Sequence, residues 1–336
     1  MNFSPTVSVK AAMIREKSIN SLDLHISFCA RTKVDNVTIG IFGHDGQTKS
    51  VRTLEAAEAR LEHLRVSMPC QLSASDHVLV ICNAPAGLYE GYFADEQDFR
   101  DRQMTIDEAL ANCSSSTLEN EVRLPMFGET MELTASNSTG LVYTADVSVS
   151  PLLAKITVDH FELNLQSFYG DRGGDLFIPE ALLLVNVPEA LSLSGNSANY
   201  CHGDMTHYGI PGFRGHSCLC TKGITAVYGH HYLKDLPLFV PPCISDEHDP
   251  LMLVVKGQFA PYGAGQMLMP AWFPLPLGRI EAGKHYHVNA VAGGIGCGPV
   301  YNAQGNPIYT PLDMVNNSIT VEATPFDDNS LQSTAS

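Results

Sequence analysis

The chain has 336 residues, of which 44% are hydrophobic, with 36 Asp and Glu against 20 Lys and Arg and a formal charge of −16. Length and hydrophobic share suit two ordinary globular domains or one large one. The acidity argues against nucleic acid and anionic membrane surfaces as partners, because both select basic patches.

The chain opens with alternation. Phe3, Val7, Val9 and Met13 fall on one parity, with Ser4, Thr6, Ser8 and Lys10 between them. Period 2 marks a half-buried strand. Arg15 follows in a short polar joint, and Leu22, Leu24, Ile26 and Phe28 then alternate with polar residues as a second strand. This opening reads as a strand and not as the apolar core of a signal peptide. The chain is therefore expected to be intracellular, or exported with its leader removed. No apolar run approaches the roughly 18 residues of a membrane-spanning helix.

Val37, Ile39 and Ile41 predict a third strand, ended by the turn residues Gly43 to Gly46. Leu54, Ala57, Leu61 and Leu64 recur at helical spacing after Thr53, a possible N-cap, and predict a short helix. Val78–Cys82 is a continuous apolar run that predicts a central strand, with Cys82 buried and reduced. Thr105 and Glu108 have capping-box spacing, so a short helix is expected there. Leu124–Leu133 predicts one or two strands, and Thr134–Gly140 a polar turn cluster.

Further along, Ala154, Ile156 and Val158 alternate, and Phe161 and Leu163 continue on the other parity, which predicts a bulge. Phe177–Val187 is apolar up to Pro188. Leu191–Tyr232 is a long excursion rich in Gly, His, Cys and Tyr. Leu251–Phe259 and Lys284–Ala292 predict strands, the latter with Tyr286, Val288 and Ala290 on one face; Pro261–Gly278 reads as loop. Ile319, Val321 and Ala323 form the last strand before a polar tail. About a dozen strands with few helices disfavour a parallel α/β sheet. The expectation is two antiparallel β-sandwiches in tandem, residues 1–142 and 143–336, joined near the turn cluster.

Little in the chain points to catalysis. Cys201, His202, His207, His216, Cys218, Cys220, His230 and His231 are ligand types, but a Cys-x-Cys pair and adjacent histidines fit zinc spacing poorly. The Gly-rich run Gly293–Gly298 is followed by Pro299 and turn residues where a phosphate loop requires a helix. There is no Gly-x-Ser-x-Gly or His-Glu-x-x-His motif. No catalytic residue, cofactor or metal ligand is assigned. Nine irregularly spaced cysteines do not suggest a disulfide framework.

Five segments, in order, resemble the fimbrillins, the type V pilins of Bacteroidales. They are Ile19–Ile26, Val78–Pro85, Val147–Val158, Leu182–Pro188 and Ile280–Val288. The most specific is Leu152-Leu-Ala-Lys-Ile-Thr-Val158, similar to the family's Ala-Lys-Ile-x-Val opening of its second domain. Pro151 stands near the family's usual basic residue, and no Asn matches in the last segment. The resemblance implies two transthyretin-like (Ig-like) β-sandwich domains in a lipoprotein exported to the cell surface. An arginine-specific protease then removes an N-terminal strand, and the vacated groove accepts a strand of another subunit. By this resemblance Arg15 is the processing site, and Phe3, Val7, Val9 and Met13 belong to the removable strand. Ile319, Val321 and Ala323 belong to a candidate donor strand. The implied partners are other fimbrial subunits, the protease and a host surface receptor. A fimbrial tip or anchor adhesin binding a host glycan or protein is the alternative, and a metal enzyme built on Cys201–His231 a more distant one.

Overall fold

A computed structural model describes residues 20–28, 33–55, 64–110, 123–136, 142–164, 176–185, 187–188, 190–194, 221–222, 231–243, 251–260, 269–293, 299–301, 307–309 and 317–325. The first part comprises β1 (Asn20–Phe28), β2 (Asn36–Phe42), β3 (Thr48–Glu55), β4 (Leu64–Met68), β5 (His77–Cys82), α1 (Glu96–Arg100), β6 (Met104–Thr105), α2 (Ile106–Leu110), β7 (Met126–Thr130), β8 (Thr134–Ala135) and β9 (Val142–Pro151). The second comprises β10 (Ala154–Asn164), β11 (Leu176–Val185), β12 (Ala190–Leu191), β13 (Thr221–Lys222), β14 (His231–Val240), β15 (Met252–Ala260), β16 (Met269–Pro276), β17 (Lys284–Gly293), β18 (Pro299–Tyr301), β19 (Pro307–Tyr309) and β20 (Asn317–Pro325). The all-β expectation holds. The two helices among the described residues have five residues each.

In the first part the strands run β3-β2-β5-β7-β9-β1-β4, with β8 also on β9. Leu22, Leu24 and Ile26 of β1 face Val37, Ile39 and Ile41 of β2 and Val78, Val80 and Cys82 of β5 across one buried core. A hairpin joins β2 to β3. Its turn is closed by Gly46 N–H donating to Gly43 O at 2.8 Å, with Gly46 at φ +80°, where a side chain would be strained. In the second part β14-β10-β17-β20 and β13-β11-β15-β16 form two four-stranded sheets.

The parts share a second core. Phe42, Leu79 and Ile81 leave the far side of β2 and β5 and join Tyr89, Phe93 and Phe99. That cluster is continuous with Ile156, Val158, Val255, Phe273 and Val288 of the second part. This explains the uninterrupted apolar run in β5, which meets a core on each face. A short ladder of β12 on β6 also joins the two parts.

Several expectations are corrected. The pairing is mixed: β1 runs parallel to β9, and β10 parallel to β17. Parallel neighbours need a long crossover: between β1 and β9 the chain lays down β2, β3, β4, β5 and β7 of the same sheet, and between β10 and β17 it passes through the other four-stranded sheet. The division expected at 142/143 falls inside the first sheet. β9 pairs with β1, β7 and β8, and sheet membership changes across Leu152 and Leu153. Of the polar cluster Thr134–Gly140, Thr134 and Ala135 pair with β9 as β8 and Ser136 N–H donates to Val142 O at 2.8 Å; the rest of the cluster lies outside the described residues.

Of the helix expected from Thr53 to Leu64, Thr53–Glu55 and Leu64 lie in the strands β3 and β4, and residues 56–63 lie outside the described residues. Leu54 and Leu64 are buried in the first core as strand residues. The loop expected at Pro261–Gly278 contains β16, an edge strand on β15. Pro270, Pro274 and Pro276 share one parity, so the missing N–H groups fall on one side of the strand, which an edge tolerates. Other expectations are met. Register shifts interrupt β10 between Ile156 and Phe161, where the parity changes. Thr105 and Glu108 form a reciprocal capping box, with Thr105 N–H donating to Glu108 Oε2 at 2.8 Å and Glu108 N–H to Thr105 Oγ1 at 3.3 Å. Cys82 is fully buried with a free thiol. After Gly293–Gly298 the chain enters strand β18, not a helix.

Candidate functional site

The candidate site is the edge formed by β20 on β17. β20 pairs antiparallel with β17 over nine residue pairs, from Lys284 opposite Pro325 to Ala292 opposite Asn317. It has no ladder partner on its other side among the described residues. The facing side chains are graded. Tyr286 stands opposite Ala323, Val288 opposite Val321 and Ala290 opposite Ile319. Tyr286, Val288 and Ala290 are buried, whereas Ile319 and Val321 are half-buried against the second core and Ala323 is exposed. The strand is thus carried mainly by its main-chain ladder and two side chains. The Tyr286 hydroxyl accepts from Glu281 N–H at 2.8 Å, which holds the ring over the turn before β17.

The other face of this sheet carries a polar cluster that the sequence pattern did not single out. Thr157 Oγ1 is 2.9 Å from His285 Nε2 and donates to Asp159 Oδ1 at 3.2 Å. Because the single hydroxyl proton goes to Asp159, His285 Nε2–H is the donor to Thr157. His287 Nδ1 lies 2.8 Å from Asp159 Oδ2, and Thr324 of β20 approaches His287 Nε2 at 3.5 Å. Thr157 and His285 are buried. The network ties β10 to β17 across their parallel ladder and does not leave a free hydroxyl for chemistry. Its only sequence signal is the alternation of His285 and His287 around a core tyrosine.

Ile319, Val321 and Ala323 therefore lie together on one edge strand, as expected. Arg15, Phe3, Val7, Val9 and Met13 lie outside the described residues, as do Cys201–Cys220 and His230. The side chain of His231 is also undescribed, although β14 begins there. No three His, Cys, Asp or Glu side chains come together as a metal-binding group among the described residues.

No protein-family model matches the chain, and no curated protein matches it in sequence. Solved structures do match in shape. A fimbrilin from Porphyromonas gingivalis W83 superposes with a TM-score of 0.58 at 13% identity, covering 92% of this chain and 98% of the other. The fold is that of a fimbrillin. Two proposed cell adhesion proteins share this fimbrillin fold. That from Parabacteroides distasonis ATCC 8503 has a TM-score of 0.60 at 9% identity, covering 93% of this chain and 98% of the other. That from Bacteroides eggerthii DSM 20697 has a TM-score of 0.56 at 16% identity, covering 93% and 96%. The fimbrillin likeness covers more than nine-tenths of the chain in each case.

Proposed function

We propose that this protein is a structural subunit of a bacterial surface fimbrium that supports adhesion and assembles by protease-triggered donor-strand exchange. In this reading it is not an enzyme. It is exported to the cell surface, where an arginine-specific protease cuts after Arg15. The strand bearing Phe3, Val7, Val9 and Met13 is then lost, and the opened first unit takes the Ile319–Ala323 strand of a neighbour. Other fimbrial subunits are its partners, and a host surface receptor is the target of the finished fibre.

The observation that carries the reading is β20. A fimbrillin fold ends its described chain in an edge strand with one ladder neighbour and two half-buried side chains. Such a strand can leave without dismantling the core beneath it. A new sheet edge in a neighbour would restore its main-chain hydrogen bonds, and its alternate side chains would refill that core.

The test is to treat the native protein with an arginine-specific protease and follow size by gel, with Arg15→Ala as control. The expected result is a ladder from the wild type and none from the variant. A protein cut at Arg15 that forms no ladder overturns the shaft-subunit reading in favour of a tip or anchor subunit. A protein left uncut at Arg15 overturns the processing step itself.

A further inference from the structure

Arg100 closes α1, and its two ends serve different parts of the chain. The guanidinium works inside the first part. Nε donates to Glu96 Oε1 at 2.7 Å, Nη2 lies 2.6 Å from the same oxygen, and Nη2 also donates to Glu129 Oε2 of β7. The second oxygen of Glu96 lies 2.8 Å from His77 Nδ1 at the start of β5. The guanidinium carbon stands 5.9 Å from the ring centre of Phe127. Glu129 is opposite Leu79 and Phe127 opposite Ile81 in the β5·β7 ladder, and Leu79 and Ile81 belong to the core shared with the second part. Cross-strand partners share a face, so the last turn of α1 lies on the side of β5 and β7 that looks toward the second part.

The main chain of the same residue works outward. Arg100 O accepts from Leu193 N–H at 3.0 Å and from Ser194 N–H at 3.3 Å. Beside it Ser194 Oγ donates to Asp101 Oδ1 at 2.7 Å. That hydroxyl, and after it the Gln97 amide, hold the Asp101 carboxyl below its ordinary 3.8. The β6·β12 ladder lies next to these contacts, with Leu191 opposite Met104 and Ala190 opposite Thr105. Met104, Ala190 and Leu191 are buried. Leu193 and Ser194 of the second part thus dock on the end of a five-residue helix. A helix this short has no stability of its own, so the place of its last carbonyl is set by what holds its side chains. Phe99 seats the helix in the core, and the Arg100 fork fixes its last turn against β7 through charge-assisted bonds.

We infer that Arg100 is a positioning residue that pins the two parts of the chain together: its guanidinium locks the end of α1 to β5 and β7, and the carbonyl so fixed receives Leu193 and Ser194. Among the described residues the guanidinium bonds only Glu96 and Glu129, both in the first part. Substituting the side chain leaves the carbonyl in the chain. Any effect of the side chain on the Leu193 and Ser194 amides therefore travels through the position of the helix end. The pin stands apart from the fimbrial reading and holds whichever role the chain has.

The test is native-state amide exchange on the full chain, read by residue. In Arg100→Ala the Leu193 and Ser194 amides should exchange at least about tenfold faster, while the Tyr286 and Val288 amides of β17 change no more than the global stability from urea unfolding requires. Arg100→Lys should recover part of that loss, because it keeps the charge without the fork. Glu129→Gln, which keeps the side-chain shape and removes the charge on β7, should give the same pattern at about threefold. Ser194→Ala cuts the far end of the same path, so its effect on the Leu193 amide should not multiply with that of Arg100→Ala. Should Arg100→Ala fail to fold, Glu129→Gln carries the same measurement, alone and with Ser194→Ala. Unchanged Leu193 and Ser194 amides, an acceleration shared equally by β17, or strictly multiplicative effects in the double variant would each overturn the inference.

Discussion

Val321→Ala tests whether β20 is an independently releasable strand. Val321 stands opposite the fully buried Val288 and is itself half-buried on the second core. The substitution removes two methyl carbons. Each would contribute about 0.8 kcal/mol if fully buried, and half-burial brings the loss to roughly 0.8 kcal/mol in all. The lower strand preference of alanine adds a few tenths, for a total of about 1 kcal/mol. At about 1.4 kcal/mol per factor of ten, the open population of β20 rises roughly fivefold. The loss should appear as local opening, because Tyr286, Val288 and Ala290 beneath the strand keep their contacts with the rest of the core. Native-state hydrogen exchange of residues 317–325 gives the free energy of local opening, and urea unfolding gives the global free energy against which it is compared. The expected result is that β20 exchanges through an opening cheaper than global unfolding and about fivefold faster in the variant, with global stability lowered by about the same 1 kcal/mol. A β20 that exchanges only through global unfolding, at the rate of the core amides, would refute the reasoning and weaken β20 as a donor.

Three further outcomes are expected. Burial pushes the Cys82 thiol up from 9.0 to about 12, so Cys82 stays neutral when folded and titrates near its ordinary value when unfolded. Its contribution to stability is whole below about pH 9 and is lost as pH rises toward about 12, and alkylation should keep pace with unfolding; rapid alkylation of native protein would contradict this. Gly128→Ala should destabilise by at least about 3 kcal/mol in urea melts, because the new Cβ would sit 2.2 Å from the Ser148 carbonyl oxygen and force β7 from β9. Asn83→Ala should cost about 3 kcal/mol. It removes one bond accepted from Asp35 N–H and two donated to Lys33 O and Leu124 O, at a position with φ +56°, and Asn83→Gly should recover only the backbone part.

Much of the fold was legible because burial on one face imposes period 2 on a strand. β1 is the clear case, where Leu22, Leu24 and Ile26 are buried between less buried polar residues. β17 shows the same with Tyr286, Val288 and Ala290, and β20 with Ile319 and Val321. The Thr105–Glu108 box was legible because its contacts span three residues and need no distant partner. The failures are equally specific. Leu54 and Leu64 imitate helical spacing although each belongs to a different strand, and nothing local distinguishes the two cases.

The sequence by itself determined which residues alternate into a core, where tight turns fall, and that the last strand carries Ile319, Val321 and Ala323 on one parity. Tertiary structure alone decided who stands beside whom. Alternation is the same in a parallel and an antiparallel strand, so the β1·β9 and β10·β17 pairs left no trace in the pattern. The same holds for contacts between strands that share no ladder: Arg52 of β3 donates to the carbonyl of Ser67 in β4 at 3.2 Å, and nothing local to either residue announces it. The physical reason is range: side-chain periodicity is set by neighbours within one strand, whereas strand direction, edges and shared cores are set by which distant segments meet.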